Sequence, residues 1–168
     1  MSMDPTRYDS AANPLPVHAP RCFGCGNDNP CGLQLKAWVD GQDIRGTVTF
    51  AEHHSGAPNY AHGGAVSTAI DDCLGYLMYL AQQPAVTAKL EVNYRRPVHL
   101  NVEYTLHARM ERLDGRKIFT AIDMRDPDGE IAAEGTGLFI IVSVEHFTKD
   151  LPPDWREKAQ KLGLELPW

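Results

Sequence analysis

The residues whose types and spacing could do chemistry are two glycines and an acid in one apolar segment. His62 is followed by Gly63 and Gly64, and Asp71 lies seven residues after the second glycine. If the segment is helical, its first turn offers backbone N–H groups without helical acceptors, which can stabilise a developing negative charge. Seven residues are about two turns, so Gly64 and Asp71 share a face about 10 Å apart along the axis.

Acyl-transfer hydrolysis requires this arrangement. The Asp71 side chain leans back toward the helix N-terminus, and the remaining gap could hold a carbonyl carbon and a water molecule. Asp71 would orient or deprotonate the water, or attack directly. Asp72 lies about 100° further round and off that line. A solvated helix acid is the alternative for Asp71, and His62 is more typical of a group that fixes the helix start than of a general base.

Three further residues lie on a predicted strand. Thr87 is on its polar side, where a β-branched residue is ordinary. Arg95 and Arg96 end the strand, and such a pair is usually a solvated edge feature. Together with the basic residues Lys89, Arg116 and Lys117, the pair could instead bind phosphates.

The cysteines suggest a metal site without completing one. Cys22 and Cys25 form a CxxC motif, and Cys31 follows six residues later. Tetrahedral zinc needs four thiolate or imidazole ligands, and the fourth would have to be His18, His53 or His54. There is no second CxxC. We favour the alternative in which small cysteines and glycines pack a tight turn.

Composition narrows the function classes. The chain has 168 residues, 43% hydrophobic and 23% charged, with a net charge of −6. This is typical of one ordinary globular domain and argues against a nucleic-acid partner. We find no apolar leader in residues 1–20 and no segment long enough to span a membrane. Four cysteines without a leader indicate reduced thiols, and we expect a cytoplasmic location without a membrane partner.

Hydrophobic periodicity predicts an α+β fold. Alternation predicts a hairpin over residues 33–50 and four antiparallel strands over residues 86–94, 102–114, 118–124 and 131–144. An apolar helix over residues 62–82 separates them, with a loop over residues 52–58 before it. We expect the antiparallel sheet to wrap around this one long central helix, since only the helix offers enough apolar surface. An extended arm (1–21) precedes this domain (22–147), and a tail (148–168) carries a short helix around Trp155, Ala159 and Leu162.

At these positions the chain resembles the hotdog-fold acyl-CoA thioesterases. The resemblance covers residues 22–144 and rests on the HGG motif, on Asp71, on Thr87 sixteen residues later, and on the YRRP strand end. The PaaI-type bacterial enzymes and the animal mitochondrial long-chain enzymes are the most similar in these motifs. The resemblance implies an acyl-CoA substrate, no metal and no cofactor. It also implies homodimers joined edge to edge into a continuous sheet, or tetramers built from two such dimers.

The resemblance also implies roles. Backbone N–H groups near His62 and Gly64 would form the oxyanion hole, and Thr87 of the partner subunit would orient water with Asp71. Arg95 and Arg96 would be candidates for the CoA phosphates. PaaI-type enzymes carry an asparagine six residues before the histidine, where this chain has Gly56. Asn59, His54 or a water would have to replace it.

Two other functions are compatible with the same fold. One is a hotdog protein that binds an acyl-CoA or another apolar carboxylate without turnover. The other is a hydratase or dehydratase, although we find no compact Asp-x4-His pair of the kind that this chemistry suggests.

Overall fold

The computed structural model describes residue 4 and residues 7–150. Within them the chain forms eight strands and three helices. The strands are β1 (Lys36–Asp40), β2 (Asp43–Thr49), β3 (Ser55–Ala57), β4 (Tyr60–Ala61), β5 (Ala85–Tyr94), β6 (Glu103–Asp114), β7 (Lys117–Arg125) and β8 (Ile131–Ile141). The helices are α1 (Gly63–Gly75), α2 (Leu77–Ala81) and α3 (Val144–Thr148).

Six of the strands form one antiparallel sheet in the order β1-β2-β6-β7-β8-β5, and β3 pairs only with β4. Helix α1 contacts β2, β5, β6, β7 and β8. The sheet therefore curls around the helix, which confirms the predicted α+β architecture. Its inward face and α1 together form the hydrophobic core.

Small residues in the sheet let α1 approach closely. A Cβ added at Gly135 would lie 3.2 Å from Ile70 Cγ2, and one added at Gly137 would lie 3.0 Å from Leu74 Cδ1 and 2.7 Å from Thr120 Oγ1. Protein interiors are packed at crystal-like density, so no room is left for a side chain at either glycine. These contacts set both the depth of the helix and its rotation about its own axis.

The helical segment is interrupted, which corrects the predicted single helix over residues 62–82. Helix α1 ends at Gly75, and Tyr76 N–H turns to the Cys73 carbonyl, three residues back, at 3.3 Å. Glycine is a poor helix former, which weakens the helix at this point. Helix α2 then ends before Gln82, which has a positive φ of 50°.

Three boundaries also differ from the predictions. The predicted loop over residues 52–58 contains a 3-10 turn (Glu52–His54) and β3. Strand β8 ends at Ile141 instead of residue 144, because Val144 begins α3. Helix α3 crosses the predicted domain boundary at residue 147. The predicted tail helix lies outside the described residues. In the part of the chain that the structure describes, no helix is long and apolar enough to cross a membrane.

The two edges of the sheet differ in how they are covered. The N-terminal arm runs along β1, where Leu15 N–H donates to the Ala37 carbonyl and Val39 N–H donates to the Tyr8 carbonyl, each at 2.7 Å. Leu15 is a residue of the arm whose side chain is buried in the core. Strand β5 is the opposite edge, and within residues 7–150 no segment pairs with its outer side. Because unpaired edges invite pairing, β5 is the surface open to a second sheet.

Replacing Gly137 by alanine should destabilise the fold. The added methyl group would force Leu74 or Thr120 to move, and such overpacking costs about 1–3 kcal/mol. We expect a lower thermal midpoint for Gly137→Ala, measured by circular dichroism. Thr136→Val is the matched control, because Thr136 is the exposed neighbour on β8. Equal midpoints for the two variants would contradict the close packing of α1 on β8.

Candidate active site

His62 begins the helix that carries the predicted site. Its backbone is extended (φ −64°, ψ 135°), and its Nδ1 accepts a hydrogen bond from Gly64 N–H at 2.9 Å. Its carbonyl accepts from the N–H groups of Ala65 and Val66. A side chain that accepts from the first turn in this way is an N-cap. His62 therefore fixes the helix start, as the sequence indicated.

The cap changes which amide is available for an oxyanion. Gly64 N–H was a predicted donor, but in the structure it is engaged by the His62 ring. Gly63 is the first helical residue, so its N–H has no acceptor within the helix. The Gly63 carbonyl accepts from the Tyr94 hydroxyl at 2.7 Å, and Tyr94 Oη also lies 2.6 Å from Ser67 Oγ. Tyr94 thus ties the end of β5 to the first turn of α1.

Asp71 meets Thr87 of its own chain. The Thr87 hydroxyl donates to Asp71 Oδ1 at 2.9 Å. This corrects the prediction that the threonine beside Asp71 comes from the partner subunit. Thr87 pairs with Phe139 on β8, which pairs with Ile118 on β7, and both of these neighbours are buried. Thr87 accordingly lies on the inward face of the sheet, where α1 passes over β5.

The environment of Asp71 favours a basic carboxylate. Burial raises its pKa above the usual value, and the hydrogen bond from Thr87 opposes part of that rise. A carboxylate with a raised pKa is a stronger proton acceptor than a solvated one.

The loop before the helix explains the missing asparagine. A Cβ added at Gly56 would lie 2.7 Å from His62 Cα, so this backbone accepts no side chain at position 56. Asn59 does not replace it at the helix start. Its φ is 67°, it forms the turn between β3 and β4, and its amide contacts His99 Nδ1 at 3.2 Å. His54 is also occupied, since its Nδ1 accepts from Ala51 N–H and its Nε2 lies 3.2 Å from the Cys31 carbonyl oxygen.

The arginines at the end of β5 already have acidic partners. Arg95 forms an ion pair with Glu134, and Arg96 donates to Glu130 at 2.8 Å. Each arginine is more than half exposed. Since a guanidinium has five N–H donors, one carboxylate does not exhaust either group.

The cysteine turn contacts Asp72, the residue of α1 that follows Asp71. Cys22 donates to Asp72 at 3.2 Å, and His18 Nδ1 lies 3.1 Å from the same oxygen. Burial alone would lower the pKa of His18, but its hydrogen bonds with Asp72 and Cys22 raise that pKa to about 9. Cys31 is exposed, and neither it nor His53 belongs to this group.

The chain matches the thioesterase superfamily over residues 58–133, which include the helix start, Asp71 and Thr87. The solved protein RHA08564, described as a thioesterase superfamily protein, superposes with a TM-score of 0.64. It is 33% identical, over 68% of this chain and 57% of that one. The chain has the hotdog fold, which is the fold of the thioesterases that it resembles.

One curated relative and one further solved structure are also similar to this chain. Acyl-coenzyme A thioesterase THEM4 of Bos taurus is 37% identical over 126 residues, which are 73% of this chain and 52% of that protein. The chain therefore spans about half the length of this curated relative. The PaaI protein of the E. coli phenylacetic acid degradation operon has the same fold. Its TM-score is 0.63 at 16% identity, over 70% of this chain and 88% of that one.

Sequence reasoning missed four residues of this region. The sequence analysis includes Tyr94 only as part of the YRRP strand end, whereas in the structure its hydroxyl binds the helix start. Ser67 gave no signal. Asp72 was set aside because it lies off the Asp71 line, and His18 was only one of three possible histidine ligands. The contact between Ser67 and Tyr94 spans 27 residues and the contact between His18 and Asp72 spans 54, both beyond the reach of local periodicity.

Removing the cap should destabilise the chain without unfolding it. His62→Ala deletes the acceptor for Gly64 N–H, and loss of an N-cap costs about 1 kcal/mol. For a chain of this size that corresponds to a fall of about 2–4 °C in thermal midpoint. His62→Asn is the control, because asparagine is among the best capping residues. An equal fall for both variants would contradict the capping role.

Proposed function

We propose that this protein hydrolyses an acyl-CoA thioester to the free acid and CoA. The observation that carries the proposal is the hydrogen bond from Thr87 to Asp71, on a helix that begins with two glycines. A carboxylate held by a hydroxyl supplies the base, and the free N–H at the start of such a helix supplies the electrostatic stabilisation, that this reaction needs. The name of THEM4 points to the same substrate class.

Asp71 would act on water in the general-base version of the reaction. Thr87 occupies Asp71 Oδ1, which leaves Oδ2 to accept a proton from water. The water oxygen then bonds to the thioester carbon while its proton passes to Asp71. When the tetrahedral intermediate collapses, the C–S bond breaks and the CoA sulfur takes that proton back. In the alternative, Asp71 attacks the thioester carbon directly, the C–S bond breaks to release CoA, and water later hydrolyses the resulting acyl anhydride.

Gly63 N–H would be the principal oxyanion donor. Gly64 N–H is engaged by His62, whereas the helix supplies no acceptor for the amide of Gly63. The positive end of the helix dipole adds to the attraction for the oxyanion. His62 and Gly64 then act by holding the first turn in place.

The complete site would combine two subunits. Gly63 precedes Asp71 by eight residues, or about 12 Å along the helix axis. The reacting carbon must lie about 3 Å from both the attacking oxygen and the oxyanion donors, so a donor nearer to Asp71 is favoured. Helix α1 packs against β5, whose outer edge is open. A two-fold pairing of β5 edges would lay two α1 helices side by side in opposite directions, with Gly63 of the partner subunit facing Asp71.

The same pairing would bring basic groups toward the site. It places the end of one β5 beside the start of the other, so Arg95 and Arg96 of the partner subunit would approach Thr87. We propose that they contact CoA phosphates while keeping one bond each to Glu134 and Glu130, which the five guanidinium donors allow. For Asn59, the turn and the contact to His99 support a role in holding the loop before the helix.

Replacing Asp71 should abolish thioester hydrolysis. We expect Asp71→Asn to lower kcat by about 10²–10⁴-fold or more, because loss of a general base costs this much. Thr87→Val should lower kcat as well, whereas Thr87→Ser, which keeps the hydroxyl, should retain most activity. Free-thiol release across aryl, short-chain and long-chain acyl-CoAs measures the effect, with circular dichroism to verify folding.

Two outcomes would refute this role. Full activity of Asp71→Asn would remove Asp71 from the chemistry. Acyl-CoA binding by calorimetry with no thiol release from the unaltered protein would instead indicate a binding protein without turnover.

Deleting the Gly63 amide proton should also lower kcat. Proline is tolerated at the first helical position, and His62 already has the extended backbone that a following proline requires. A Cβ at position 63 would come no closer than 3.4 Å to Tyr94 Oη. We expect Gly63→Pro to lose about 10²–10³-fold in kcat, the usual cost of one oxyanion donor. Gly63→Ala, which keeps the N–H, is the control.

Mixing the two inactive variants tests whether the site is shared. Heterodimers of Asp71→Asn and Gly63→Pro subunits would contain one intact site if Gly63 acts across the interface. Random assembly would then restore about one quarter of the wild-type specific activity, since half of the dimers are mixed and each has one working site. No recovery, with heterodimers verified by mass spectrometry, would place both groups in one subunit.

A further inference from the structure

Four potential metal ligands converge at Asp72, the residue of α1 that follows Asp71. His18 comes from the N-terminal arm, Cys22 and Cys25 from the turn that follows, and Asp72 from α1. His18 Nδ1 lies 3.1 Å from Asp72 Oδ1 and 3.4 Å from Cys25 Sγ, and Cys22 Sγ lies 3.2 Å from Asp72 Oδ1. The four ligand atoms all lie within 4.8 Å of one another.

We propose that His18, Cys22, Cys25 and Asp72 together bind one zinc ion. In tetrahedral zinc sites the metal lies about 2.3 Å from sulfur and about 2.0–2.2 Å from nitrogen or oxygen, which separates the ligand atoms by about 3.3–3.8 Å. The shortest observed separations, 3.1 and 3.2 Å, lie slightly below this range, and the upper limit of 4.8 Å is about 1 Å above it, so shifts of a few tenths of an ångström to about one ångström would seat the ion. Two thiolates with an imidazole and a carboxylate suit borderline-soft zinc better than magnesium or calcium, which prefer oxygen.

Gly24 and Gly26 allow the cysteine turn to fold tightly against Asp72. A Cβ added at Gly24 would lie 2.2 Å from Asp72 Cγ, so only glycine lets the turn reach the carboxylate. Gly26 N–H donates to the Cys22 carbonyl at 3.0 Å, and a Cβ at Gly26 would lie 2.5 Å from the Pro20 carbonyl oxygen. The turn thus brings the sulfurs of Cys22 and Cys25 to the same side. His18 N–H donates to Cys25 Sγ at 3.3 Å, a bond that would also stabilise a thiolate.

A buried oxygen in the cluster has no partner. The Asp72 side chain is only 9% exposed, and its Oδ2 is buried without a hydrogen bond. Leaving a buried carboxylate oxygen unsatisfied is costly, and such atoms are rare in native proteins. A metal ion would coordinate the carboxylate and supply the positive charge that two thiolates and a carboxylate require. This observation is independent of the cysteine spacing.

The ligand set resolves what the sequence left open. Of the three candidate histidines, the structure selects His18, since His54 is bonded elsewhere and His53 lies outside the group. Asp72 takes the place considered for Cys31. The tight turn that the sequence favoured is present as well, but it presents both sulfurs to one point. The ion would link the N-terminal arm to α1 one residue from Asp71 and so act as a positioning element for the helix.

Metal content of the full chain tests the proposal. The protein is produced without a metal-binding tag, and zinc is quantified by mass spectrometry after gel filtration. We expect about one zinc per chain, as in other four-ligand structural sites, and its loss in the double variant Cys22→Ser, Cys25→Ser. Cys31→Ser is the matched control and should keep the zinc, because Cys31 is exposed and outside the cluster. Zinc loss in Cys31→Ser equal to that of the double variant would overturn the ligand set.

A second measurement needs no variant, in case the double variant fails to fold. Metal-free protein, prepared with a chelator under reducing conditions, is titrated with Co²⁺. Tetrahedral thiolate ligation predicts intense visible ligand-field bands and a near-ultraviolet sulfur-to-cobalt charge-transfer band, saturating at about one equivalent. Absence of these bands would overturn the proposal, as would a Cys22–Cys25 disulfide in freshly purified, metal-free protein. Both readouts report on the metal alone, so they stand or fall separately from acyl-CoA hydrolysis.

Discussion

The contact between α1 and the glycines of β8 determines where both acids of the helix point. Ile70 packs over Gly135 and Leu74 over Gly137, and these two side chains are one turn apart on the same face. With that face fixed against the sheet, the helix cannot rotate. Asp71 is then directed toward Thr87 on β5, and Asp72, about 100° further round, toward the cysteine turn. Two adjacent carboxylates thereby enter two chemically different environments.

Asp71 and Asp72 are both partly buried carboxylates, but their hydrogen-bond partners differ. Burial raises the pKa of both acids. Asp71 has one neutral hydroxyl partner, which leaves it able to take a proton and suits a base. Asp72 lies among an imidazole and a thiol, with one oxygen still unsatisfied, which suits a ligand. Buried helix positions normally exclude carboxylates, because burying an unpaired charge is costly. Here Asp71 accepts a hydrogen bond from Thr87, and Asp72 contacts Cys22 and His18.

Elements with regular periods could be predicted from the sequence, and long-range partners could not. Alternation over residues 33–50 located the β1–β2 hairpin, and the apolar period of α1 located its buried face. The weakness at Gly75 is a local signal, but its effect depends on the packing of Tyr76. The resemblance predicts that Thr87 acts beside Asp71, but it assigns Thr87 to the partner subunit. A sequence motif does not specify which copy of a strand packs against a given helix. The register of β5 against β8 settles this contact within one chain.

The N-terminal arm connects the remaining parts of the structure. By donating to and accepting from β1, it covers one edge of the sheet, so among residues 7–150 β5 is the edge left for pairing with another copy. The same arm continues to His18, which stacks on Tyr76 with ring centroids 4.2 Å apart, at the break between α1 and α2. A metal ion held by His18 and Asp72 would therefore secure the arm over β1 and the helix over β8 at the same time. Strand β5 packs on that helix. The geometry of its open edge, and of any site shared along that edge, would therefore depend on His18, which is more than fifty positions away from Asp72 in sequence.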